Sequence, residues 1–296
     1  MPNNTADGST ETRNEFVSGY APVNGLQMYY EIHGPEKTEH EQEEGNRNGK
    51  EKGTPLVLIH GAFSAIGTSF GALLPGLSKT RQVIGFELQA HGRTADIDRP
   101  LSLEQMADDI AAALQYLGIE QADIFGYSMG AAVALHLTIR HPEVVRKLVF
   151  ASGTYNMAGV HPGIMEGLGE MKPEMMYGSP WHDEYMRIAP DPDHFATLFA
   201  KKTQMDRNTK DIPAQAVAAI KAPTLLIIGD SDLVRPEHAV EMFRLLGGGV
   251  FGDLAGMPNS QLAVLPGTMH SNLTSRADLL MQIIPPFLDA PMPEAG

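Results

Sequence analysis

From Pro55 onward the chain keeps returning to one pattern, short and unbroken apolar runs set between segments of helical periodicity. A run that is apolar at every position is buried on both faces, the condition of a strand inside a parallel sheet covered by crossover helices. Residues 56–59, 83–86, 122–125, 148–151, 225–228 and 262–265 are the expected strands. The best-defined helix spans 103–117: Ser102 and Gln105 have capping-box spacing, and Ile110, Ala113, Leu114 and Leu117 form one apolar stripe that Gly118 ends. Further helices are expected at about 236–246 and 278–288, the last bent or broken at Pro285-Pro286.

Elsewhere the alternation is absent. Runs at 16–21 and 26–33 flank Asn24-Gly25, a pair that favours a two-residue hairpin, so the sheet should begin with antiparallel strands. Residues 1–15 are polar, and 35–53 are so charged that they read as a solvated or disordered loop. Residues 153–222 carry repeated prolines, several methionines and the only tryptophan, Trp181. That length exceeds a strand-to-helix connection and predicts an inserted, mainly helical cap. The expected organisation is a tail at 1–15, an α/β core in two parts at 16–152 and 223–290, and the cap at 153–222.

With 43% apolar and 20% charged residues, a chain of 296 residues can bury one large core. It has no cysteine, which excludes disulfides, thiolate metal sites and a cysteine nucleophile, and suits a reducing cytoplasm. Acidic residues outnumber basic ones by 36 to 22, so a formal charge of −14 repels nucleic acid and anionic membranes and favours neutral small-molecule substrates. No signal peptide or run of 18 apolar residues is present, and cytoplasm is the expected location. Neither a phosphate-binding glycine loop nor paired-histidine ligand spacing occurs, so no cofactor or metal is expected.

Gly126-Tyr127-Ser128-Met129-Gly130 lies between the run at 122–125 and a helix-like run at 131–140, which places Ser128 on a sharp strand-to-helix turn. A serine hydroxyl becomes a nucleophile only beside a base, and the base needs a third group to hold its tautomer. His270, beyond the last strand through Pro266-Gly267-Thr268-Met269, is the expected base. Asp232 is the expected acid, three positions past the turn at Gly229, with Asp230 as competitor; Asp230 could instead tie down that turn. The stretch after residue 151 offers Ser152 and Gly153 but no carboxylate. Backbone amides of Met129 and of Ala62, in the His60-Gly61-Ala62-Phe63 loop, are the expected oxyanion donors, with Phe63 in reserve.

The order serine, aspartate, histidine, with a His-Gly loop on an earlier strand, resembles the α/β-hydrolase fold family over about residues 16–288. The stretch Glu87 to Thr94 sits where many members carry Asp-x-Arg-Gly-x-Gly-x-Ser and departs from it, so no function transfers to it. The resemblance implies a cap above the active site and a serine hydrolase that cleaves an ester or lactone through an acyl-enzyme. Serine at 128 argues against members that use a carboxylate nucleophile. Apolar cap residues, with Met176 and Trp181 as candidate substrate contacts, would suit a bulky, largely apolar molecule. Members that open macrolide lactones are similar in length and cap placement. The same machinery also allows carbon–carbon, thioester or amide hydrolysis, acyl transfer, or a small-molecule receptor with little turnover.

Overall fold

The computed structural model describes residues 16–34 and 53–293; the expected tail at 1–15 and nearly all of the charged stretch at 35–53 lie outside them. Eight strands form one sheet: β1 (Phe16–Val23), β2 (Leu26–His33), β3 (Leu56–Ile59), β4 (Val83–Phe86), β5 (Ala122–Tyr127), β6 (Val145–Ala151), β7 (Thr224–Ser231) and β8 (Gln261–Met269). Their order is β1-β2-β4-β3-β5-β6-β7-β8, with β1 and β2 antiparallel and β3 to β8 parallel. The β1–β2 turn has positive φ at both Asn24 (48°) and Gly25 (86°), the geometry whose twist matches a tight hairpin.

Helices α1 (Ile66–Phe70), α2 (Leu74–Leu77), α3 (Leu103–Tyr116) and α4 (Met129–Arg140) join the first strands. Between β6 and β7 run α5 (Ile164–Glu170), α6 (Pro180–Ile188), α7 (Phe195–Asn208) and α8 (Ala214–Ala218); α9 (Pro236–Leu245), α10 (Gly252–Ala255) and α11 (Ala277–Asp289) follow. The unbroken apolar runs have a simple cause. On β3, Val57 and Ile59 join the core beneath α3 and α4, while Leu56 and Leu58 join the core beneath α1, α2 and α11. Each fully buried aliphatic side chain contributes roughly 1.5–3 kcal/mol before entropy is counted. No described helix is long and apolar enough to cross a membrane.

Four expectations about elements are corrected. Strand β8 does not stop at Leu265 but continues through Pro266-Gly267 to Met269, and β7 passes Gly229 to reach Ser231. Side chain–backbone bonds extend the pairing beyond the apolar runs: the Asp230 carboxylate accepts from the N–H groups of Gly267 (2.9 Å) and Thr268 (3.1 Å). Helix α11 is not broken at Pro285-Pro286 but runs on through both prolines. The carbonyls they leave without N–H donors belong to part-exposed Met281 and exposed Gln282, where water can serve them. At α3, Ser102 caps the Gln105 N–H (3.3 Å), but the Gln105 amide turns to Asp109 instead of completing the box.

Lys147, on β6, is only 1% exposed and caps the end of α11. Its ammonium donates to the carbonyls of Phe287 (2.8 Å), Leu288 (3.2 Å) and Ala290. A cation at a helix carboxyl end meets both unpaired carbonyls and the negative pole of the helix dipole.

Candidate active site

Strand β5 delivers Ser128 to the carboxyl edge of the sheet with φ 56° and ψ −119°, a conformation costly for any side chain-bearing residue. The flanking glycines make this turn possible. A Cβ on Gly126 would overlap the Gly130 carbonyl and lie 2.7 Å from the Ala131 Cα; one on Gly130 would overlap the Ile59 carbonyl and lie 2.5 Å from that of His60. Side chains are therefore excluded by backbone, which cannot yield as a rotamer could.

The Ser128 Oγ lies 2.9 Å from His270 Nε2, and His270 Nδ1 lies 2.7 Å from Asp232 Oδ1. A carboxylate accepting at Nδ1 fixes the proton there and leaves Nε2 free to accept the serine proton. Asp232 is itself held from several sides: Ser152 Oγ donates to Oδ2 at 2.5 Å, and the N–H groups of Gly229 and Val234 donate at 3.2 and 3.3 Å. Burial pushes this carboxyl up, but the His270 contact and the other donors outweigh it and hold it below the ordinary carboxylate value. Asp230, by contrast, spends its oxygens on the N–H groups of Gly267 and Thr268 and makes no hydrogen bond to the imidazole.

Two further contacts fix the histidine and the loop opposite. Tyr127 donates to the His270 carbonyl at 2.5 Å. His60, fully buried, bonds the Gly61 carbonyl through Nδ1 (2.8 Å) and accepts from the Leu88 N–H at Nε2 (3.0 Å), stitching the loop after β3 to the one after β4. Burial lowers its pKa to about 4, so it is neutral at pH 7 and acts as a brace. Phe63 takes φ 58° and stacks on Phe199 at 5.3 Å. Among the described residues, no hydrogen bond engages the N–H groups of Ala62, Phe63 or Met129.

Glu87 to Thr94 is a structural loop braced from inside and outside, with the Thr94 hydroxyl accepting from the Tyr29 N–H (2.9 Å). The buried Glu87 carboxylate accepts from the Arg93 N–H (2.5 Å) and guanidinium (2.9 Å). Burial pushes it up to about 7 against those contacts.

A cavity of about 160 Å³ opens beside Ser128 and His270, walled by Ala62, Met129, Met157, Met165 and Leu168, with Lys202, Met205 and Asp206 from α7. Met176 and Trp181, the expected substrate contacts, do not line it. Met176 is 9% exposed within the main core, and Trp181 packs against that same core. Composition assigns these residues an apolar role but not a direction, and both pack with the main core instead of the cavity wall. Ser152, Lys202 and Asp206 went unnoticed as candidates; only the position of Ser152, directly after β6 at the sheet edge, held a signal.

A family model described as the alpha/beta hydrolase fold matches residues 54–219. The chain is 37% identical over 119 residues to a 2-hydroxymuconate semialdehyde hydrolase of Pseudomonas sp. (strain CF600), covering 39% of this chain and 41% of that one. It is 26% identical over 254 residues to a pimeloyl-[acyl-carrier protein] methyl ester esterase of Neisseria meningitidis serogroup C, covering 79% and 93%. The enol-lactonase of Burkholderia xenovorans LB400 superposes with a TM-score of 0.66 at 20% identity, over 92% of this chain and 100% of that one. The last likeness concerns the fold alone.

Proposed function

Because this chain belongs to the α/β-hydrolase fold family, whose members similar to it include esterases and other hydrolases, we propose that it is a serine hydrolase cleaving a carboxylic ester or lactone of a small molecule. The observation that carries this reading is the unbroken line from Ser128 Oγ through His270 to Asp232 beside unengaged amides. In it, Ser128 Oγ attacks the substrate carbonyl as its proton passes to His270 Nε2, and Asp232 stabilises the imidazolium. The N–H groups of Ala62 and Met129 receive the developing oxyanion. His270 returns the proton to the leaving alkoxide, and water repeats both steps on the acyl-enzyme.

The helical segment 153–222 is, on this reading, the cap that supplies the cavity roof. An apolar cavity of about 150 Å³ accommodates benzene, so the space beside Ser128 suits one compact group. A bulky substrate would keep most of its mass outside or require the cap to move. The cysteine-free composition supports action in a reducing compartment such as the cytoplasm.

Fluorophosphonate labelling tests the nucleophile: the parent chain should be labelled and Ser128→Ala should not, and label retained in the variant would sink the assignment. A second reading rests on the semialdehyde hydrolase among the relatives. In it the same serine relay acts on a dicarbonyl compound, cutting a carbon–carbon bond. Faster turnover of a diketone than of any ester in one panel would favour it.

A further inference from the structure

Lys202 and Asp206 stand one turn apart on α7 and both line the cavity that holds Ser128 and His270. The Lys202 ammonium donates to both Asp206 oxygens, at 2.7 and 2.6 Å. Neither side chain is a free surface charge: their exposures are 13% and 27%. A half-buried helix pair adds little stability, since the partial desolvation of two charges offsets much of their attraction. Thr209, the other polar residue on this face, spends its hydroxyl on the Met205 carbonyl at 2.9 Å. The pair still has capacity. An ammonium has three donors and a carboxylate about four acceptor positions, and among the described residues Lys202 hydrogen-bonds only Asp206, with the Phe63 ring 5.9 Å from its ammonium.

The charges cancel, and that decides what the wall can hold. A substrate carboxylate would meet Asp206 beside Lys202, in a protein already at −14; a substrate cation would meet Lys202 beside Asp206. A neutral group that accepts from one and donates to the other fits both. Resting on the serine-hydrolase reading, we propose that Lys202 and Asp206 form a subsite for a hydroxyl group on the substrate, so that the preferred ester or lactone is a neutral, hydroxylated molecule. The hydroxyl oxygen accepts a hydrogen bond from the Lys202 ammonium, and its O–H donates one to the Asp206 carboxylate.

Nitrophenyl esters of four-, six- and eight-carbon acids ending in methyl, hydroxyl or carboxylate test this. At one chain length the parent should prefer hydroxyl over methyl in kcat/KM by roughly tenfold or more, as expected for a hydrogen bond to a charged group. The double variant Lys202→Met, Asp206→Leu leaves no buried charge unpaired, and its preference should fall toward one with an intact thermal transition. A preference for carboxylate would overturn the neutral-hydroxyl assignment, and equal rates at every length would reduce the pair to a helix brace. Labelling of Ser128 in the same preparation separates these failures from failure of the hydrolase reading: an unlabelled chain refutes that reading, whereas a labelled chain without discrimination refutes the subsite alone.

Discussion

At the scale of single residues, Ser128 occupies a backbone geometry that opposes stability. Glycine adopts φ 56° freely, so Ser128→Gly should raise stability by about 1 kcal/mol, after allowance for the added freedom of the unfolded chain, while abolishing fluorophosphonate labelling. Thermal melting of the two chains checks it. Asp232 supplies the opposite case. Its carboxyl is held below the ordinary value of 3.8, so its contribution is complete above that pH and disappears as pH falls through the lower folded value. Asp232→Asn should therefore be less stable than the parent at pH 7, with the gap closing below about pH 4 in denaturant titrations. Turnover should fall far more in Asp232→Asn than in Asp230→Asn, because only Asp232 contacts the imidazole. Ser128, His270 and Asp232 were legible because each follows an apolar strand in glycine-bearing turns. Ser152 and the Lys202–Asp206 pair were not, because Ser152 meets Asp232 across 80 residues and the pair faces a cavity wall that only the folded chain creates.

Among elements, the sharpest constraint is the turn between β5 and α4. Gly130→Ala would drive a Cβ into the carbonyls of Ile59 and His60, and should cost more than about 3 kcal/mol or prevent recovery of soluble chain. Gly25→Ala, where only the positive φ resists, should cost about 1 kcal/mol; unfolding in urea would rank the two. The strand positions could be read in the sequence because alternate residues feed two separate cores and so must all be apolar. The ends of β7 and β8 could not. There the pairing is held by Asp230 and a tolerated Pro-Gly, features that hydropathy reads as loop. The direction of Met176 and Trp181 escaped for a related reason, since irregular helices separated by prolines show no long periodic stripe from which an inward face could be assigned.

Across the whole molecule, two buried imidazoles weaken the fold in acid, opposed in part by the Glu87 carboxyl, which burial raises to about 7 so that the folded chain takes up its proton first. His60 and His91 have folded values lowered by burial to about 4 and about 3, against an ordinary 6.5. The unfolded chain takes up protons on both as pH falls below about 6.5 while the folded chain does not, so stability should decline from there toward pH 4. A denaturant midpoint measured at each half pH unit would show the slope, and a flat profile across that window would contradict it. The capped end of α11 has a different use. Lys147 is an amine enclosed by three carbonyls, so in the native protein an acylating reagent should modify exposed lysines such as Lys79, Lys172, Lys210 and Lys221 and spare it. Its modification would thus clock the detachment of the final helix, making one residue a chemical reporter for a partial opening that global spectroscopy would average away.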